Sequence, residues 1–247
     1  MIRLIAMREF RSLFSIPSTW LFLAGLEFIL AWFFLSRLEA FLEIQPQLAL
    51  LANPPGVTGT VGTSLFNTAS LLLMMLVPMF TMRLIAEERR SHTLALFLSS
   101  PVSDAQIVLG KFAGLMLFLL LLIATLPLML CTLSVGTHLD YGLLLSNCIG
   151  IALLTSSFVA LGLYVSSLTT QPVIAAIGTL AALIGLWLAD IGSPSAQAPW
   201  HQFSPLYHFQ NFNAGLLDSR DAAFFLIFTV FFLMLAARRL HNNRIYG

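Results

Sequence analysis

Arg83-Leu-Ile-Ala-Glu-Glu-Arg-Arg-Ser-His-Thr-Leu-Ala-Leu-Phe-Leu-Ser-Ser-Pro-Val-Ser-Asp104 is a charged, helix-prone stretch set between two long apolar runs. Only 9% of the 247 residues are charged, so a cluster of this kind stands out. The chain is 58% hydrophobic, with 21 Phe and a mean hydropathy of +0.90. A soluble domain carries about 25% charged residues. The excess of apolar residues and the scarcity of charge place the chain in the membrane class. The net charge of +1 says nothing about nucleic acid, and no basic run of the density that binding would need occurs, so no nucleic-acid partner is expected.

A membrane-crossing helix needs about 20 mainly apolar residues. Working outward from the quoted stretch, six runs qualify: 19–38, 64–84, 105–135, 141–165, 173–189 and 222–237. The third is long enough to contain a turn or a tilt. The expected fold is all-α, a single polytopic domain over 1–247 with six transmembrane helices. With the N-terminus inside, Arg3, Arg8, Arg11, Arg83, Arg89, Arg90, Lys111, Arg238, Arg239 and Arg244 all fall inside. That accounts for ten of the 12 basic residues, leaving Arg37 and Arg220 outside. The bias sets both termini in the cytoplasm. The first apolar run is too long for a cleaved leader and reads as a retained anchor.

The segments between the spans have distinct characters. Residues 1–16 are amphipathic, with Ile2, Ala6, Phe10 and Leu13 on one face, and Pro17 follows. They read as an interfacial helix on the inner leaflet. Glu39–Thr63 reads as an external loop with turn-forming Asn53-Pro-Pro-Gly56. Residues 191–221 read as an external re-entrant or interfacial segment, with a short helical hairpin at Pro205–Leu217. Its Trp200, Phe203, Tyr207, Phe209 and Phe212 suit an outer aromatic belt, and Asp218 or Asp221 suits a cap on the sixth span. Cys131 and Cys148 lie in apolar runs and read as small buried hydrophobes.

Within the quoted stretch the second span continues past the membrane through Glu87, Glu88, Arg89 and Arg90. A short piece with Leu94, Phe97 and Leu98 on its apolar side follows, and Pro101 stops it. Ser103-Asp-Ala-Gln106 is a capping box for the third span, with Asp104 at the positive end of that helix. Residues 86–103 therefore form a short cytoplasmic element with two ends. It is suited to dock on a partner, with Phe97 and Leu98 as anchors and the Glu/Arg group as rim. A plain solvated loop obeying the positive-inside rule is the alternative reading of the same pattern.

The segment resembles the coupling region of type-2 ABC-exporter permeases (the ABC-2 type). The shared pattern is Glu88-Arg-Arg-Ser-His-Thr-Leu-Ala-Leu-Phe-Leu-Ser-Ser-Pro-Val-Ser103, followed by Val108-Leu-Gly-Lys-Phe112. His92 stands where the family usually has Gly. The likeness is to the gliding-motility-associated branch, itself related to permeases of nitrous-oxide-reductase maturation. Arg8-Glu-Phe-Arg-Ser-Leu-Phe-Ser-Ile-Pro17, Ser166-Ser-Leu-Thr-Thr-Gln-Pro172 and Ser204–Asp221 resemble further pieces of that branch, in order.

The resemblance implies a type-2 ABC exporter fold and two permease halves, most simply a homodimer, in a bacterial inner membrane. It also implies two copies of a separate ATP-binding subunit below, which hold ATP and Mg. Glu87, Glu88, Arg89, Arg90, Thr93, Leu94, Phe97 and Leu98 would meet that subunit. A periplasmic or membrane accessory protein is conceivable, and the bilayer is a partner in any case.

Rival chemistry fails on the residues. Ala105-Gln-Ile-Val-Leu-Gly-Lys-Phe112 lacks the first Gly and the Ser/Thr of a P-loop. This chain therefore binds no ATP itself, and Lys111 reads as an anchor at the inner interface. Glu87-Glu88 lacks the Arg that a membrane glutamate-protease pair needs at position 92. No serine elbow or zinc-protease motif occurs, so the expectation is a transport subunit with no catalytic residues, no cofactor and no metal site. His138, His201 and His208 lack ligand spacing and read as interfacial packing.

Glu27 lies in the middle of the first span, where an ionisable residue is a functional candidate by default. It reads as a substrate-path candidate, or else as a protonated acid bonded to a neighbouring helix. A non-ABC transporter or scaffold is the alternative function. Export of a copper- or sulfur-related species for metalloenzyme maturation is a narrower one, suggested only by the kinship.

Overall fold

A computed structural model describes residues 1–48, 56–90, 103–191 and 202–246. Among these the chain is helical throughout, without strands, and six helices are long and apolar enough to cross a membrane. The all-α, six-span expectation therefore holds.

The elements follow from local chemistry. α1 spans Ile2–Ser15 and stops at Ile16, whose backbone is extended ahead of Pro17. α2 spans Pro17–Leu48. α3 spans Thr63–Met82, entered through a π-helical turn at Thr58–Gly62 and left through another at Arg83–Glu87. α4 spans Asp104–Ile123, and the Ser103 side chain accepts from the Gln106 amide as the capping motif requires. α5 spans Thr125–Cys131 and runs into a 3-10 turn at Thr132–Val135. α6 spans Tyr141–Leu168, where Asp140 Oδ1 accepts from the amides of Gly142 and Leu143 at 3.0 and 3.1 Å. α7 spans Pro172–Ile191, α8 Pro205–Asn213 and α9 Ser219–Tyr246.

α6 is the hub, packed against α3, α4, α7, α8 and α9. The apolar windows of α3 and α6 are 67% and 61% buried, whereas those of α2 and α7 are only 17% buried each. Helices hydrophobic all round but covered on one side face lipid or another subunit.

The structure refines the hydropathy reading at two spans and one cysteine. α2 runs ten residues beyond Leu38, to Leu48. Arg37, Glu39 and Glu43 end the apolar run without breaking the helix, and Phe41 stays buried. Arg37 lies over the Phe33 ring one turn back, at 4.9 Å. At 32 residues α2 is about 48 Å long, more than a bilayer core of about 30 Å. The third run contains the turn that its length allowed, at Ala124 between α4 and α5. Pro127 supplies no amide to the Ile123 carbonyl, which explains the break. Cys131 is exposed rather than buried.

The end of the bundle away from Arg83 is closed by α8, with Pro205 in its first turn. α8 ends at Gly215, whose φ of +85° lets the Leu216 amide reach the Asn211 carbonyl at 2.9 Å. Phe209 and Phe212, expected in an interfacial belt, are buried instead, while Phe203 and Tyr207 are exposed. Ser146 Oγ donates to the Phe212 carbonyl at 2.8 Å and fixes α8 to α6. Asp218, not Asp221, caps α9, accepting the Arg220 amide at 2.9 Å. Trp200 and His201 lie outside the described residues.

Candidate functional site

The site is the junction where α3 leaves the bundle towards the charged stretch. The π-helical turn Arg83–Glu87 is continued by a last helical turn, Glu88–Arg90. A π-turn inserts one extra residue into the helix and is found mostly at functional positions. The extra residue rotates everything after it by about 100° around the axis. Leu84, Ile85 and Ala86 are buried, so the irregular turn sits inside the protein.

Its loosened backbone is held from α6. The fully buried Ser166 hydroxyl accepts from the amides of Ile85 and Ala86 at 3.3 and 3.1 Å. It also donates to the Met82 carbonyl at 3.3 Å. That uses the one donor and two acceptor positions a serine hydroxyl has.

Two turns into α4, Lys111 places its ammonium 2.8 Å from Glu9 Oε1 of α1 and 2.7 Å from Glu88 Oε1. Its side chain is only 1% exposed, against 13% for Glu9 and 15% for Glu88. Lys111 is therefore not an interface anchor with its head in water. A lone buried ammonium is costly, and two carboxylates make its burial tenable. The two carboxylates repel each other, and Arg8 adds a favourable charge near Glu88.

Glu9 reaches Lys111 because α4 presents Gly110-Lys-Phe-Ala-Gly114 to α1. A Cβ at Gly110 would lie 2.7 Å from Ile5 Cβ. At Gly114 it would lie 2.7 Å from the Ala6 carbonyl oxygen and from Glu9 Cβ. Small residues four apart let two helices approach backbone to backbone. Phe14 then stacks edge-on against Phe118 of α4 at 5.2 Å, extending the seam. At the start of α4, Asp104 Oδ2 meets His241 Nδ1 of α9 at 3.0 Å.

The charged stretch does not act as one surface. Glu87 and Arg90 are exposed, Arg89 is half-buried, and Glu88 turns inward to Lys111. A cavity of about 600 Å³ is lined by Arg89, Arg90, Thr170, Gln171, Pro172 and Val173. His92, Thr93, Leu94, Phe97 and Leu98 lie outside the described residues.

Glu27 lies apart from this junction, on α2. Its Oε1 is 2.9 Å from Thr125 Oγ1 at the α4–α5 break. Near the other end of the bundle, His208 Nδ1 meets Asp221 Oδ1 at 2.6 Å, and its Nε2 faces the Gln202 carbonyl at 3.0 Å. Asn211 donates to Asp221 Oδ2 at 2.8 Å, and Phe224 stacks on the imidazole at 4.0 Å. This cluster joins α8 to α9, with His208 buried between them.

Glu9 and Ser166 lie in segments that carry the family resemblance, but sequence reasoning missed the contacts they make. The small-residue pair Gly110 and Gly114, one turn apart on the helix bearing Lys111, was the available signal for Glu9. Ser166 gave none, because nothing in a serine marks it as the partner of a π-turn 80 residues away.

Mechanically, the junction ties three helices to one ammonium. Glu88, at the end of the described part of α3, is thereby linked through Lys111 to α4 and through Glu9 to α1. A family model described as "ABC-2 family transporter protein" matches residues 37–238. No curated protein matches the chain.

Proposed function

We propose, on the premise that the chain belongs to the ABC-2 transporter family, that it is the membrane permease subunit of an ATP-binding-cassette exporter. It supplies the membrane pathway or the force-transmitting element, and two separate ATP-binding subunits supply ATP hydrolysis with their own Mg. A second permease copy completes the pathway. The barely covered α7 is a face available to it. The assembly sits in a bacterial inner membrane with both permease termini in the cytoplasm, in keeping with the distribution of Lys and Arg.

The observation that carries the reading is the Lys111 node. The ATP-binding subunit engages the segment beyond Arg90 through Thr93, Leu94, Phe97 and Leu98, with Glu87, Arg89 and Arg90 at its rim. Closure of the ATP-binding subunits pushes this segment. Glu88 and Lys111 carry the push into α4 and, through Glu9, into α1. The π-turn held by Ser166 is the place where α3 can change its pitch with little loss, because its hydrogen bonds already run through a side chain.

Co-purification of the permease with its ATP-binding subunit tests the docking half of this proposal. Phe97→Asp places a charge among the proposed anchors and is expected to lower recovery of the complex at least tenfold. An unchanged complex with an unchanged ATPase rate would remove the docking role of this segment.

A further inference from the structure

Glu27 lies ten residues after the start of α2, about 15 Å along the helix. That is half the depth of a bilayer core of about 30 Å. One carboxyl oxygen is fixed by Thr125, and the other has no hydrogen-bond partner among the described residues. A groove of about 280 Å³ opens beside it, lined by Trp20, Leu23, Ala24, Phe118, Leu121 and Leu122 besides Glu27 and Thr125. No basic side chain lines it.

The groove is built rather than incidental. It lies at an irregular point of the third span, where α4 ends and α5 begins at Thr125. Thr125 Oγ1 is also 2.6 Å from the Leu122 carbonyl. A threonine hydroxyl has one proton, so it cannot donate to Leu122 and Glu27 at once. With Glu27 carrying a proton, both contacts are satisfied, because Glu27 donates to Thr125 and Thr125 to Leu122. A neutral amine entering the groove can take that proton from Glu27 and remain beside the carboxylate as its ammonium. One wall is fixed too, since the Trp20 indole donates to the Phe14 carbonyl at 2.9 Å and stands edge-on to Phe14 at 5.5 Å.

We infer that this groove binds a compact lipophilic amine, with its protonated nitrogen on Glu27 and its apolar body between Trp20 and Phe118. Three features select that chemistry. The single acid has no counter-cation in the groove, so a cation complements it. The remaining lining is apolar and aromatic, which suits a hydrocarbon body and lets a cation lie against Trp20. The volume is at the lower edge of drug-sized sites, too small for a two-chain lipid. Entry is lateral, from the bilayer, because α2 is the least covered of the spans together with α7. The inference names a ligand class for the pathway proposed above. It rests on that reading for the ligand's export, while binding itself does not need the ATP-binding subunit.

The test uses the full chain in lipid nanodiscs, titrated with dodecylamine and with dodecanol while tryptophan fluorescence is followed. The expected result is saturation by dodecylamine at a concentration at least tenfold lower than by dodecanol. Glu27→Gln keeps the Thr125 contact and is expected to bring the two ligands within about threefold of each other. Trp20→Phe is expected to abolish most of the signal. Equal responses to both ligands, or a preference that survives Glu27→Gln, would overturn the assignment. So would efficient cross-linking of Leu23→Cys between two permease copies, which would make the groove an interface. Loss of the amine preference in a permease that still drives its ATP-binding subunit would overturn the ligand and leave the exporter reading intact. An intact preference in a permease that recruits no ATP-binding subunit would support the site and contradict the exporter reading.

Discussion

Lys111 is the residue on which the junction depends. Its ammonium is buried between Glu9 and Glu88. Removing one member of a buried ion pair costs about 3–5 kcal/mol, because the remaining charge stays buried without compensation. Lys111→Met is expected to destabilise the protein by about that amount, measured as lost resistance to thermal aggregation in detergent. Adding Glu9→Gln to Lys111→Met is expected to recover part of the loss, since one stranded carboxylate is removed. If the double variant is less stable than Lys111→Met alone, the pair is not coupled through the ammonium.

At this scale the sequence was half legible. Gly110-Lys111 was noticed as a failed phosphate loop and as part of a resemblance. Its role as a charge buried against α1 depends on a contact between residues 102 apart, which no local pattern encodes.

At the scale of elements, the seam between α1 and α4 is decided by two missing side chains. Glycines at positions 110 and 114 allow an approach that any Cβ would block at 2.7 Å. Gly114→Leu is expected to push α1 off α4 and separate Glu9 from Lys111. A Glu9→Cys, Lys111→Cys pair should then cross-link at least tenfold less efficiently than in the glycine background. Equal cross-linking would show that α1 tolerates the bulk and that the seam is not set by these glycines.

Element existence was readable because 20-residue apolar runs are a strong signal. Element ends were not. α2 continued through Arg37, Glu39 and Glu43, since charge marks where a membrane ends and not where a helix does. The third span broke at Ala124 because Pro127 removes one amide, a local cause that hydropathy averages away. The two π-turns carried no sequence signal, as they are choices of packing against α6 and its neighbours.

At the scale of the whole molecule, the proposed exporter requires a route from the charged segment to the spans. The described structure holds a series of contacts on which that proposal rests, from Glu88 through Lys111 to α4 and α1, with Ser166 of α6 holding the π-turn beside it. The most direct measurement is the ATPase turnover of the reconstituted complex of this permease with its ATP-binding subunit, for the wild type and for Lys111→Met at matched assembly. The account predicts that the variant complex still forms and that its permease-stimulated turnover falls at least tenfold. Full stimulated turnover in an assembled Lys111→Met complex would contradict it.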